Sequence, residues 1–266
     1  MPKLLLSFDI EEFDLPLENG VDIPFEEQMR RSVEGAEKIL EILKRNKVVA
    51  TLFCTANFAE NAPDIIKRAV NEGHEIASHG LRHSQFYNAD LLRSKEILEE
   101  ITQVTVRGFR MARMMSVSSK EIRKAGYIYN SSINPTIIPG RYNNLGYPRL
   151  YFNDDGLIQL PTGVTPKFRF PLFWLTLHNL PLYLYNYLLT KTLSHDGYTI
   201  LYFHPWEFTD LKSVKRKYRL SPLITNNSGD EMLSKLENVI NHQKEKGTLF
   251  FTISGFLKTL DSPAKP

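Results

Sequence analysis

The chain has 266 residues, 42% of them hydrophobic and 24% charged, enough apolar material for a buried core and a composition that excludes disordered, collagen-like and coiled-coil classes. Lys and Arg number 33 against 30 Asp and Glu, and the resulting +3 is dispersed, so no basic stripe marks a nucleic-acid binder. The lone Cys54 cannot form an intramolecular disulfide, which fits a reducing compartment and makes the cytoplasm the expected location.

Met1 to Lys3 followed by only Leu4 to Leu6 falls short of the roughly 7 to 15 apolar residues of an export leader, so the chain is expected either to stay in the cell or to have lost one. The run Lys3 to Asp9 (KLLLSFD) reads as a buried parallel strand with a carboxylate at its C-terminal tip. Apolar residues at helical spacing predict a helix over Met29 to Lys44, and Val48 to Cys54 a second strand. The alternation continues with a helix at Pro63 to Asn71, a strand at His74 to Ser78, a helix at Asp90 to Ile101 and a strand at Val104 to Phe109. A short helix starts after Ser118 or Ser119 and ends at Gly126.

From Asn130 to Tyr198 prolines punctuate an aromatic-rich stretch, expected to be an irregular insertion over one end of the fold. Within it, Phe170 to Leu189 has the length of a bilayer span but carries Pro171, His178, Asn179 and Pro181, and reads as a buried or interfacial helical element, with peripheral membrane association its furthest reach. A strand at Tyr198 to Phe203, a helix at Glu231 to Lys246 and a strand at Thr248 to Thr252 complete the pattern. Repeated βα units imply an α/β fold with a parallel sheet, and the absence of a linker predicts one domain over residues 1–266. Oligomeric state has no signature in the sequence.

Three features follow predicted strands, where α/β folds place their sites. SFDIEEFD carries Asp9, Glu11, Glu12 and Asp14; alone it reads as a solvated acidic loop. HEIASHGLRH places His79 and His83 four apart, which on a helical turn would put both imidazoles on one face, although seven histidines produce such a spacing readily by chance. LYFHPWEF sets His204 at a strand end, by itself an ordinary hydrogen-bonded position. Together they say more: two histidines and a carboxylate with an open position make a hydrolytic metal site, and a further carboxylate and histidine supply a base and an acid.

In order and spacing, SFDIEEF, HEIASHGLRH, the arginine segment VRGFRMAR with the following GYIYNSSI, and YFHPWEF resemble the motifs of the polysaccharide deacetylases, carbohydrate esterase family 4, and in particular its peptidoglycan-deacetylase-like subgroup. The resemblance implies a distorted (β/α) barrel of about seven parallel strands and metal-dependent removal of acetyl groups from N-acetylated sugars. It implies Asp9 as base, His79 and His83 as metal ligands, Arg110 orienting the base, the Arg113 N–H in the oxyanion hole, and His204 as general acid. One divalent ion is expected, zinc first, with Co2+, Fe2+ or Ni2+ as alternatives. Strand alternation points Glu11 to the same side as Asp9 and makes it the third ligand, whereas a bulge after Asp9 would bring Glu12 inward instead.

The chain departs from the family pattern in three places. Ile10 separates Asp9 from the next acid, Met111-Ala112-Arg113 lacks the usual proline, and Tyr127 to Asn134 offers no match to the aspartate that sets the acid histidine. Glu207 is a candidate for that last role. An allantoinase-like hydrolase of a small amide and a non-catalytic glycan-binding relative are the competing readings.

Overall fold

A computed structural model of the chain describes residues 1–261. Its strands are β1 (Lys3–Ile10), β2 (Thr51–Cys54), β3 (Glu75–Ser78), β4 (Gly108–Phe109), β5 (Tyr129–Asn130), β6 (Ile137–Ile138), β7 (Tyr142–Asn143), β8 (Phe152–Asp154), β9 (Leu157–Gln159), β10 (Tyr198–Phe203) and β11 (Leu249–Phe250). The main sheet runs β10-β1-β2-β3-β4-β5-β9-β8. Its first seven strands are parallel, β8 joins antiparallel, and β11 lies beside the start of β1. The sheet curls toward closure, and beyond β9 the Gly163 N–H reaches the Ile200 carbonyl of β10 at 2.7 Å.

β1 shows how the sequence builds this barrel. Its even residues Leu4, Leu6, Phe8 and Ile10 join the apolar layer between sheet and helices, whereas Leu5 joins a separate cluster inside with Phe53, Tyr129 and Ile200. Ile253, Phe256 and Leu257 of the last helix, Ile253–Asp261, complete that inner cluster and plug the end where the strands begin. Glu75, at the start of β3, accepts hydrogen bonds from the Thr51 hydroxyl, the Tyr129 hydroxyl and the Ser254 N–H, and so ties the plug to three strands.

Outside the sheet, the helix Phe25–Arg45 lies against the short 3-10 turn Pro205–Phe208. Its Gly35 is in such close contact that a Cβ there would stand 1.9 Å from the Pro205 carbonyl oxygen.

Two expectations are corrected. The strand expected over Val104 to Phe109 contracts to Gly108–Phe109, because side chains of the preceding helix occupy the Val106 backbone: Glu99 accepts its N–H and Lys95 donates to its carbonyl. The stretch Asn130 to Tyr198 is not wholly irregular, since it holds a barrel strand, β9, in a hairpin with β8. Asp155 and Gly156 turn that hairpin, both at positive φ as a type I′ turn requires. The apolar run Phe170 to Leu189 is two helices, Trp174–Asn179 and Leu182–Asp196, broken at Pro181, and no described helix is long and apolar enough to cross a membrane.

Candidate active site

The singled-out residues lie at or just past the C-terminal ends of the parallel strands: Asp9 on β1 and Glu11 directly after it, His79 after β3, Arg110 after β4 and His204 after β10. One pocket of about 260 Å3 is lined by Asp9, Glu11, His79, His83, Arg113 and His204. Arg110 sits behind it, fully buried.

Arg110 is held on every side. Its Nη1 donates to Asp9 Oδ1 at 2.6 Å and to the Ser7 hydroxyl at 2.9 Å, while Nε and Nη2 bind the Ser131 carbonyl and hydroxyl at 3.0 Å each. The guanidinium also stacks 4.0 Å over the Phe53 ring. With one oxygen of Asp9 so fixed, the other lies 3.9 Å from His204 Nε2.

Glu11 Oε2 stands 3.1 Å from His79 Nε2 and 3.2 Å from His83 Nε2. The Trp206 indole N–H donates to its other oxygen at 3.3 Å. The three ligand atoms lie within 4.8 Å of one another, and among the described residues this is the group of histidine, cysteine and carboxylate side chains suited to a metal ion. The donor set of two imidazoles and one carboxylate fits a divalent metal ion. Both imidazoles are also prepared for that role. The Arg110 carbonyl, 2.9 Å from His79 Nδ1, can only accept, so His79 carries a hydrogen there and Nε2 is the nitrogen turned to Glu11; Asp14 Oδ1 orients His83 through Nδ1 in the same way at 2.7 Å.

Burial alone would push the Glu11 carboxyl up, but the charge on His83 and the hydrogen bond from His79 outweigh it and hold the group at about 2. Burial likewise works against a charged His83, and the Glu11 and Asp14 carboxylates overcome it and raise that imidazole to about 9. Glu12 faces away, bonded to the Thr55 hydroxyl and the Asn57 amide, and burial leaves its carboxyl above the ordinary range. The expected helical turn under His79 and His83 is absent: the segment is an irregular loop after β3, whose first residues bond the start of the helix Ala56–Asn61, and it brings the two rings into a stack 5.9 Å apart.

His204 is held by Glu207, whose Oε1 accepts from the His204 N–H at 2.6 Å and pairs with Nδ1 at 2.8 Å. Burial lowers the proton affinity of this imidazole, yet Glu207, Glu11 and Asp9 raise it overall. Aromatic rings frame it: Trp206 stacks on it at 4.8 Å, and Trp174 and Tyr202 meet it edge-on. Arg113 sits in a kinked turn at φ 57, a left-handed conformation costly for a non-glycine residue, and its Nε pairs with Glu18 at 2.9 Å. Ser7, Ser131, Asp14 and Trp206 escaped the sequence reading as supports of the site; for Ser7 the strand alternation that selects Asp9 was the available signal.

Residues 18–127 match the family model for polysaccharide deacetylases. Over that segment the chain is similar to the polysaccharide deacetylases. The match takes in His79, His83, Arg110 and Arg113, whereas Asp9, Glu11 and His204 lie outside it and join them through the fold. Among curated proteins, peptidoglycan-N-acetylmuramic acid deacetylase PdaA of Bacillus subtilis is 33% identical over 72 residues, 26% of this chain and 27% of that protein. A peptidoglycan-N-acetylglucosamine deacetylase of Bacillus cereus is 32% identical over 97 residues, 34% of this chain and 32% of that one. The chain therefore matches about a third or less of the length of these curated relatives. The solved structure of a probable polysaccharide deacetylase from Pseudomonas aeruginosa superposes with a TM-score of 0.63 at 16% identity, covering 94% of this chain and 87% of that one, a likeness of fold. The chain thus shares its α/β barrel fold with that structure.

Proposed function

We propose that the chain is a zinc-dependent deacetylase that hydrolyses the acetyl amide of an N-acetylated glycan. The observation that carries the reading is the Glu11, His79 and His83 cluster lying in one pocket with the Asp9 and His204 pair. A divalent ion held by that cluster would polarise the acetyl carbonyl and acidify an attacking water. Asp9 takes the water's proton on the oxygen that Arg110 leaves free. His204, with Nδ1 engaged by Glu207, presents Nε2 to the pocket and delivers a proton to the departing amine. The Arg113 N–H is the oxyanion donor, a role whose loss costs about 3 kcal/mol in measured systems. Trp174, Trp206 and Tyr202 exclude water and offer ring faces to the sugar.

The substrate is a chain rather than a free sugar. The pocket of about 260 Å3 is small for a ligand site, and a second cleft of about 880 Å3 opens beside it and shares Glu18, Arg113, Met114, Arg141 and Tyr142 with it. Serine, asparagine and glutamine side chains line that cleft, as hydroxyl-rich sugar units require.

The test is release of acetate from N-acetylated oligosaccharides of increasing length by protein stripped with chelator and by protein reloaded with zinc. Turnover restored by zinc and rising with length is the expected result. Hydrolysis of allantoin but no acetylated sugar, or sugar binding without acetate release, would replace this reading with one of its competitors.

A further inference from the structure

His178 has no part in the site as described, yet it is fully buried one residue beyond it. It sits on the helix Trp174–Asn179, and its Nδ1 faces the Asn226 carbonyl at 2.8 Å, which places a hydrogen on Nδ1 because a carbonyl can only accept. Its Nε2 lies 3.3 Å from Glu207 Oε2. Both atoms are buried, and among the described residues neither has another hydrogen-bond partner. Two bare lone pairs facing each other in a dry interior would be costly, and one proton on Nε2 satisfies both.

Glu207 is then bracketed: Oε1 serves His204 and Oε2 serves His178. The end of the His178 helix is pinned as well, since Lys235 Nζ donates to the Leu177 and His178 carbonyls at 2.9 and 2.7 Å and Asn227 donates to the latter at 2.6 Å. Facing the three groups from other elements are Asp9 on β1 and Glu11 just after it, Tyr202 on β10, Tyr185 on the helix Leu182–Asp196 and Lys235 on the helix Asp230–Glu245. Of these, Lys235 is the other cation, and it is directed at carbonyl groups.

We propose that His178 is a positioning residue for His204 that acts through Glu207, forming a buried imidazolium–carboxylate–imidazole relay. Resting on the role given to His204 under the proposed function, the relay does two things. It holds Glu207 in the one rotamer that aims His204 Nε2 into the pocket. It also shares the Glu207 charge between two imidazoles, so that His204 is not locked in its protonated form and can give its proton up.

The first test needs neither variant nor activity. Nitrogen-15 side-chain spectra of the wild-type protein loaded with zinc should show His178 with both ring nitrogens protonated at pH 7; a neutral His178 would overturn the proposal. In His178→Gln the positive charge is gone and Glu207 acts undivided on His204, so the titration midpoint of His204 should rise by about one unit. The basic limb of kcat should move up with it, kcat at pH 7 should fall about tenfold, and KM and zinc content should stay unchanged. His178→Asn, which keeps the donor to Asn226, should show the same shift. In a Glu207→Gln background, His178→Gln should add no further shift. A loss of activity uniform in pH with an unmoved His204 midpoint would reduce His178 to a packing residue. Absence of acetate release by the wild type would instead overturn the deacetylase reading, while the spectra still decide the relay.

Discussion

The Asp9 carboxylate and the Arg110 guanidinium form a buried ion pair with an Nη1 to Oδ1 distance of 2.6 Å, and Arg110 reaches it from the strand three places away in the sheet. The pair binds the base to β5 as well, because the remaining guanidinium nitrogens end on Ser131. A buried pair of this kind adds little net stability when whole, but breaking it leaves a charge stranded.

Arg110→Ala should therefore destabilise the protein by about 3–5 kcal/mol in denaturant titrations. Arg110→Lys, which cannot reproduce the fork to Asp9, Ser7 and Ser131, should fold but lose turnover while keeping its metal. A lysine variant with wild-type kcat would show that Asp9 needs charge alone and no aim.

The cluster predicts graded effects on metal affinity, measurable by titration calorimetry. Glu11→Gln and His79→Ala should weaken zinc binding strongly. Asp14→Asn, which removes only the acceptor behind His83, should weaken it by about 10- to 100-fold. Glu12→Gln should leave it unchanged, since that side chain is turned toward Thr55 and Asn57.

Protonation makes a separate prediction. The folded-state value of about 9 for His83 lies above its ordinary 6.5, so its contribution to the stability of metal-free protein is complete below about 6.5 and is lost as pH rises through about 9. Glu11, at about 2 against 4.5, contributes fully above about 4.5 and loses that contribution as pH falls toward 2. Thermal melts of chelated protein should thus show these contributions together between about 4.5 and 6.5. Zinc must displace the His83 proton, so binding at pH 7 should release about one proton and affinity should rise up to about tenfold per pH unit below 9. Calorimetry in buffers of different ionisation enthalpy reads this directly, and zero proton release would contradict it.

His204→Gln should lower kcat by about 10²- to 10⁴-fold with zinc content intact, because the ring lies 3.9 Å from Asp9 and outside the ligand cluster. Metal loss in that variant would make His204 a ligand.

Gly35→Ala tests the site from outside. Its Cβ would drive the helix Phe25–Arg45 against Pro205, at an overpacking cost of about 1–3 kcal/mol, and displace the turn that carries Trp206 and Glu207. A lower melting temperature together with a reduced kcat is expected; normal kcat would show that the turn yields without moving His204.

The helices were legible where periodicity was strong, as at Pro63–Asn71, and the long strands where apolar runs were unbroken, as in β1 and β10. β5 and β9 were not, because two- and three-residue strands carry no period and their stability comes from neighbours distant in sequence; the Asp155-Gly156 turn between β8 and β9 went unread. Of the residues brought together in the pocket, Asp9, His79, His83 and His204 stood out after strands and Glu11 by alternation, whereas Arg113 was reached only through the family resemblance. Their supports were not legible: Asp14 meets His83 across 69 positions and Trp206 meets Glu11 across 195, contacts that no local spacing encodes. The loop under His79 and His83 teaches a related lesson, since four-residue spacing was met without a helix.

β1 works as a ruler. At steps of two residues, about 6.6 Å, its inward side presents Leu5 to the floor, Ser7 and Asp9 to the guanidinium, and Glu11 to the imidazoles. Single replacements alter one graduation and leave the others in place. Removing one residue between Leu5 and Asp9 would instead rotate every later graduation to the helix-facing side, burying two carboxylates among Leu6, Phe8 and their neighbours. This strand can therefore drift in its outward apolar letters, which are interchangeable in kind, while its length is closed to change, and the spacing of base and ligand is inherited as a single unit.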